Sequence, residues 1–184
     1  MFGSEDYKIK KGCHYHTTAF IPKITFDSSI YYEVRFDESC LYKQSDIDPI
    51  VWNKLIGLST TYNHHFNSCR IGWRTSEDGK AIEVLPYVYQ GGKRLINDLE
   101  TPLIIKPNVP VLICINDAEF SYEVTINGVE FEYSKQPDYP LFNWLLGFYF
   151  GGESTAPYTM GATIKRLTKK EYDEKTIEKA VSFA

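Results

Sequence analysis

Ser68, Arg70, Tyr87 and Tyr89 are the residues of this chain whose types and spacing could do chemistry together. A guanidinium presents a planar fork of donors that matches a carboxylate. Tyrosines present ring faces to a sugar, or a phenol that can exchange a proton. On one surface the four would hold a carboxylated sugar, or take a proton from one. Lys54 is a further candidate, because a lysine in mid-strand beside Gly57 needs a partner or an opening to water. His65, just before Ser68, stands at the mouth of the same strand and is a candidate sugar contact.

Strand arithmetic puts these residues together. Ser76-Glu77-Asp78-Gly79 is a turn signal between two alternating runs. With those four residues as the loop, Thr75 pairs with Lys80, Trp73 with Ile82, Ile71 with Val84, Arg70 with Leu85 and Ser68 with Tyr87. Side chains alternate with a period of two. Cys69, Ile71, Trp73, Ile82, Val84 and Val88 then form an apolar face. Ser68, Arg70, Gly72, Arg74, Glu83, Tyr87 and Tyr89 form the opposite one. A one-residue slip would turn Trp73 and Ile71 outward beside the arginines, so the choice of face is strongly specified. The plain alternative for the arginines is ion pairing with Glu83 or Glu33, favoured for Arg74 near the loop. For the tyrosines it is ordinary sheet cover.

Short alternating segments make up most of the chain. Strands are expected at 7–10, 23–26, 30–36, 53–58, 68–74, 82–89, 111–115, 120–126, 129–133, 145–150 and 159–165. Asn127-Gly128 reads as a type I′ hairpin and Gly91-Gly92 as another turn. Many strands with regular turn signals imply an all-β sandwich or jelly roll. One helix is expected at the C-terminus. Thr168-x-x-Glu171 is a capping box, and Ile177, Ala180, Val181 and Ala184 follow helical spacing. Glu171 and Lys175 are spaced to pair along it. The expected organisation is a β-sandwich over 1–167 and a helix over 168–184, packed on the sandwich or on a neighbouring subunit.

Composition excludes several classes. The 184 residues suit one domain, and 14 Tyr and 11 Phe suit a half-buried sheet. A net charge of −4 and the lack of a basic run argue against a nucleic-acid partner. The apolar stretch from Leu141 to Phe150 is too short to span a bilayer, so no membrane partner is expected. Cys13, Cys40, Cys69 and Cys114 form no Cys-x-x-Cys pair, and Cys69 and Cys114 read as buried thiols. His14-x-His16 and His64-His65 lack a third ligand of fitting spacing, so neither metal nor other cofactor is expected. The N-terminus shows no apolar signal segment, so synthesis in the cytoplasm is expected. No Glu-x-Asp-x-x-Glu strand is present for hydrolysis by paired carboxylates.

Several segments resemble family-fourteen polysaccharide lyases. They are Tyr32-Glu33-Val34-Arg35-Phe36, Asn53-Lys54-Leu55-Ile56-Gly57-Leu58, Ser68-Cys69-Arg70-Ile71-Gly72-Trp73-Arg74, Tyr87-Val88-Tyr89 and Tyr149-Phe150-Gly151-Gly152. The resemblance covers roughly Ile30 to Lys165 and implies a concanavalin A-like jelly-roll β-sandwich. It places the family's catalytic positions on Lys54, Ser68, Arg70, Tyr87 and Tyr89, with Lys54 at the edge of a concave face. Ile56 stands where the family pattern has proline. The chain is more similar still to a compact jelly-roll branch associated with bacteriophage genomes. That resemblance implies a virion-associated protein, with other virion proteins or further copies of itself as partners and the virion as its place. The expectation is a jelly roll that binds a glycan through Lys54, His65, Ser68, Arg70, Tyr87 and Tyr89, or serves as a virion module. The alternative is a lyase that cleaves uronate-containing glycans by β-elimination.

Overall fold

The computed structural model describes residues 4–16, 23–43, 52–95, 101–152 and 154–182. Its strands are β1 (Ser4–Ile9), β2 (Lys23–Thr25), β3 (Ser29–Phe36), β4 (Asn53–Ser59), β5 (Ser68–Thr75), β6 (Ile82–Gln90), β7 (Lys93–Leu95), β8 (Leu103–Ile105), β9 (Val111–Asp117), β10 (Ser121–Ile126), β11 (Val129–Ser134), β12 (Asn143–Leu146) and β13 (Met160–Leu167). A 3₁₀ turn spans Glu38–Cys40, and helix α1 spans Lys169–Ser182. The strands form two antiparallel sheets in the order β1-β13-β3-β9-β10-β11 and β2-β12-β4-β5-β6-β7, with β8 also on β6. This is the concanavalin A-like jelly-roll sandwich with a single C-terminal helix among the described residues.

Alternation builds the core. Ile30, Val34 and Phe36 on β3, Ile113 and Ile115 on β9, and Val124 and Ile126 on β10 turn inward from the first sheet. Leu58, Cys69, Ile71, Trp73, Val84 and Val88 turn inward from the second. Trp73 is fully buried, with Phe36 5.5 Å and Phe148 5.4 Å away between ring centres. Each such side chain contributes about 1.5–3 kcal/mol by leaving water. Pro86 sits in mid-strand without cost to the ladder. On its free side β6 is covered by β8 at residues 82–84 and by β7 at 88–90, and Pro86 falls in the gap between them.

The β5–β6 register differs from the one expected. Thr75 pairs with Ile82, Trp73 with Val84, Arg70 with Tyr87 and Ser68 with Tyr89. Lys80 and Ala81 belong to the loop. Ser76 holds it, donating from Oγ to Asp78 at 2.7 Å and accepting from the Ala81 N–H at 2.9 Å. The shift is two residues, so every side chain keeps its expected face. The expected strand over 145–150 is also corrected. β12 ends at Leu146, and the chain rejoins the sheet through a bridge between Tyr149 and Lys54. The short strands β7 and β8 were not expected from the sequence.

The Asn127-Gly128 hairpin has positive φ at both residues, 51° and 85°, as type I′ requires. The capping box is formed. The Glu171 N–H donates to Thr168 Oγ1 at 3.2 Å, and the Thr168 N–H donates to Glu171 Oε2 at 2.8 Å. The expected apolar helix face is not the docked one. Ile177 and Val181 are exposed, while Tyr172 packs with Leu112, Leu167 and Tyr31. Ala184 lies outside the described residues. Lys175 pairs with Glu33 at 2.6 Å rather than with Glu171, so ion pairs and one aromatic ring decide which side docks. Cys114 sits half-buried against that cluster on the outer face of its sheet, not in the core.

Candidate functional site

The outer face of the second sheet carries the candidate residues in two cross-strand rows. In one, Leu146 of β12, Gly57 of β4, Arg70 of β5 and Tyr87 of β6 stand side by side. In the other, Trp144, Ser59, Ser68, Tyr89 and Arg94 do so. Arg70 and Tyr87 therefore project to the same side of their sheet, as do Ser68 and Tyr89. Lys54 joins them from β4, where the register shifts between Lys54 and Gly57.

Glycines make the room. A Cβ on Gly57 would lie 2.6 Å from Arg70 Cγ and 2.3 Å from the Cys69 carbonyl oxygen. The bare backbone there lets the Arg70 side chain cross β4, and its Nη2 donates to the Gly147 carbonyl at 2.8 Å. A Cβ on Gly151 would meet Lys54 Nζ at 2.7 Å. Lys54 Nζ donates to the Trp52 carbonyl at 2.6 Å and lies 4.5 Å from the centre of the Tyr87 ring. The Arg94 guanidinium lies 4.1 Å from the same ring. Tyr87 thus carries two cations.

The electrostatics are one-sided. Arg70 is 7% exposed, its Nε has no hydrogen-bond partner, and no ion pair reaches it among the described residues. Burial draws its guanidinium down to about 10, against the opposing pull of Tyr149, Tyr87 and Tyr15. Burial, then Arg70 and Arg94, bring Lys54 down to about 8. Burial, then Arg70, bring His64 down to about 4, so its ring is neutral at neutral pH. Burial, then hydrogen bonding to Tyr89, push Tyr87 up to about 12. A buried, uncompensated cation is costly unless an anion joins it. The arrangement is a cationic floor with aromatic edges.

The expected site residues differ in availability. Tyr89 and His65 are ring neighbours 5.2 Å apart at the rim, with His65 exposed. Ser68 is fully buried and donates from Oγ to the His64 carbonyl at 2.6 Å, so it braces the 60–67 turn rather than facing outward. Arg74 is taken by Glu83 at 2.7 Å. His14 and His16 do not converge. His14 Nδ1 faces the Phe150 carbonyl at 3.0 Å, and His16 packs edge-on against Tyr7. Tyr15, Tyr149, His64 and Arg94 join the site without having been singled out for it. Tyr149 lay within a recognised motif and His64 within a histidine pair weighed only as a metal ligand; Tyr15 and Arg94 carried no local signal.

Two of the cavities among the described residues lie elsewhere. One of about 550 Å³ lies between residues 26–31 and the start of α1, but its charged groups are already paired: Arg166 with Asp27 at 2.7 Å and Lys169 with Asp173 at 2.6 Å. The other, about 230 Å³, is lined by Phe66, Asn67, Tyr122 and Lys135. There Lys135 is buried between Asp117 at 2.6 Å and Asp138 at 2.5 Å, an ion cluster that the sequence did not announce. Unpaired charge, rather than cavity size, singles out the Arg70 face.

No family model and no curated protein matches the chain. Among solved structures, one described with endo-acting O-glycanases that prominent members of the human gut microbiota express to initiate mucin breakdown aligns at a TM-score of 0.53. Identity is 13%, over 90% of this chain and 80% of that one. The alginate lyase AlgAT5 of polysaccharide lyase family 7 aligns at 0.41 with 10% identity, over 89% and 63%. The homodimeric agglutinin CG-16 from chicken liver aligns at 0.35 with 10% identity, over 90% and 96%. The first shares the fold; the other two likenesses are too low to carry an argument.

Proposed function

We propose that the protein binds an acidic polysaccharide, seating a sugar carboxylate against Arg70 and Lys54. The observation that carries this reading is the buried Arg70 guanidinium, with a free Nε and no carboxylate against it among the described residues. A planar fork short of partners fits a carboxylate. Tyr87, Tyr89 and His65 supply ring edges and faces for the sugar body. A fold shared with a structure described among glycan-cleaving enzymes agrees with a glycan as ligand. The test is retention on immobilised alginate and glucuronan. Arg70→Ala abolishing retention supports the reading, and unchanged retention overturns it.

The second reading is a β-elimination lyase, as the family-fourteen resemblance implies. Arg70 would neutralise the carboxylate. A base would take the proton from the adjacent carbon, its electron pair would form the double bond, and the glycosidic oxygen would leave with a proton. Lys54, at about 8, would offer a neutral amine fraction at mildly alkaline pH. Against it, Tyr87 at about 12 supplies almost no tyrosinate, and Ser68 is occupied. Binding without turnover is therefore preferred. A rise in ultraviolet absorbance from unsaturated product, lost in Arg70→Ala, would reverse that preference. A virion-associated role rests on the resemblance alone. Portal or tail genes beside this one would support it, and polysaccharide-use genes would count against it.

A further inference from the structure

We infer that Trp144, Tyr62 and Phe142 form a second sugar subsite, so that the protein takes an extended chain rather than a single residue. The inference rests on the acidic-glycan reading and extends it. Trp144 stands on the outer face of β12, in register with Ser59, Ser68 and Tyr89 across three neighbouring strands. At about 4.8 Å per strand, the β12 end of that row lies about 14 Å from its β6 end.

The turn over 60–67 fills the space between the two ends. Ser59 Oγ bonds the carbonyls of Thr61 at 2.6 Å and Asn67 at 2.8 Å, and Ser68 Oγ bonds that of His64. Two small serines thus pin one turn onto the sheet. The turn carries an aromatic ring to each side. Tyr62, 75% exposed, meets Trp144 at 5.5 Å, while His65 meets Tyr89 at 5.2 Å. Phe142 lies 5.4 Å from Trp144.

The result is a wall of rings along the row next to Arg70. The patch is continuous with the cationic floor, on the same face of the same sheet, and that continuity identifies its occupant. It is the apolar face of a sugar unit in the same acidic chain, displaced from the unit whose carboxylate meets Arg70. Ring stacking there adds affinity with chain length, about tenfold for two such contacts.

The test is calorimetry with oligomannuronates of two and six residues. The expected result is tighter binding of the longer oligomer by wild type. In Trp144→Ala the longer oligomer falls to the affinity of the shorter, which is itself unchanged. Tyr62→Ala, on an exposed side chain, should reproduce the loss in part and guards against misfolding of the first variant. A wild type that gains nothing from length, including one that binds neither oligomer, overturns the subsite. So does a length gain that survives both substitutions. Arg70→Ala should weaken both lengths. If it weakens neither, the reading beneath the subsite fails, and the continuity argument fails with it.

Discussion

Arg70→Met should make the protein more stable while abolishing glycan binding. Burial draws the Arg70 guanidinium well down from its ordinary value, to about 10. At about 1.4 kcal/mol per pH unit, holding that charge in the folded state costs about 3 kcal/mol. Methionine keeps most of the stem and removes the charge. It also leaves the Gly147 carbonyl without the donor it has at 2.8 Å, which returns about 1–2 kcal/mol. The net gain is about 1–2 kcal/mol. For a domain of this size that raises Tm by about 3–6 °C. Scanning calorimetry of both proteins, without ligand and with excess alginate, reads the two effects together. Without ligand the variant melts higher. With alginate only the wild type shifts upward, because ligand stabilises the state it binds. A variant that melts several degrees lower would refute the reasoning. Arg70 would then be a structural clamp between β5 and the Gly147 segment.

Further outcomes follow from the geometry. Glycan affinity should fall as pH rises through about 8, because Lys54 loses the proton that attracts the carboxylate; titration calorimetry from pH 6 to 9.5 reads this, and Lys54→Met should flatten the profile. The same depressed value makes the unfolded chain hold more protons than the folded one between about 8 and 10.5, so this lysine's contribution to stability grows with pH over that window. Gly57→Ala should shift β4 or Arg70, since its Cβ would fall 2.3 Å from the Cys69 carbonyl oxygen; a loss of about 1–3 kcal/mol by urea denaturation, together with lost retention, is expected. Lys135→Ala should cost about 3–5 kcal/mol, because it strands the Asp117 and Asp138 carboxylates. Thr168→Ala should cost about 1 kcal/mol and fray the start of α1, seen in amide exchange, while leaving glycan binding unchanged.

Local patterns determined the faces, the turns and the helix start. The period of two assigned Ser68, Arg70, Tyr87 and Tyr89 to one side so firmly that a two-residue error in the hairpin register left the assignment standing. Asn127-Gly128 and Thr168-x-x-Glu171 were equally legible, because each is complete within four residues. What the sequence could not determine depends on partners far along the chain. Tyr15, Tyr149 and Arg94 reach Tyr87 and Arg70 only when the N-terminal segment, the segment after β12, and β7 are laid beside β4 to β6. Whether Ser68 faced solvent depended on the 60–67 turn folding back over it. The helix turned Tyr172 inward and left Ile177 outside because Lys175, Lys179 and Tyr172 found partners on β3, at Asn127 and in the Leu112 cluster. The ion cluster of Lys135, Asp117 and Asp138 left no mark in the sequence, since burial of an ion is decided by what packs around it. Alternation is a property of a strand, but exposure and charge balance belong to the assembled sheet.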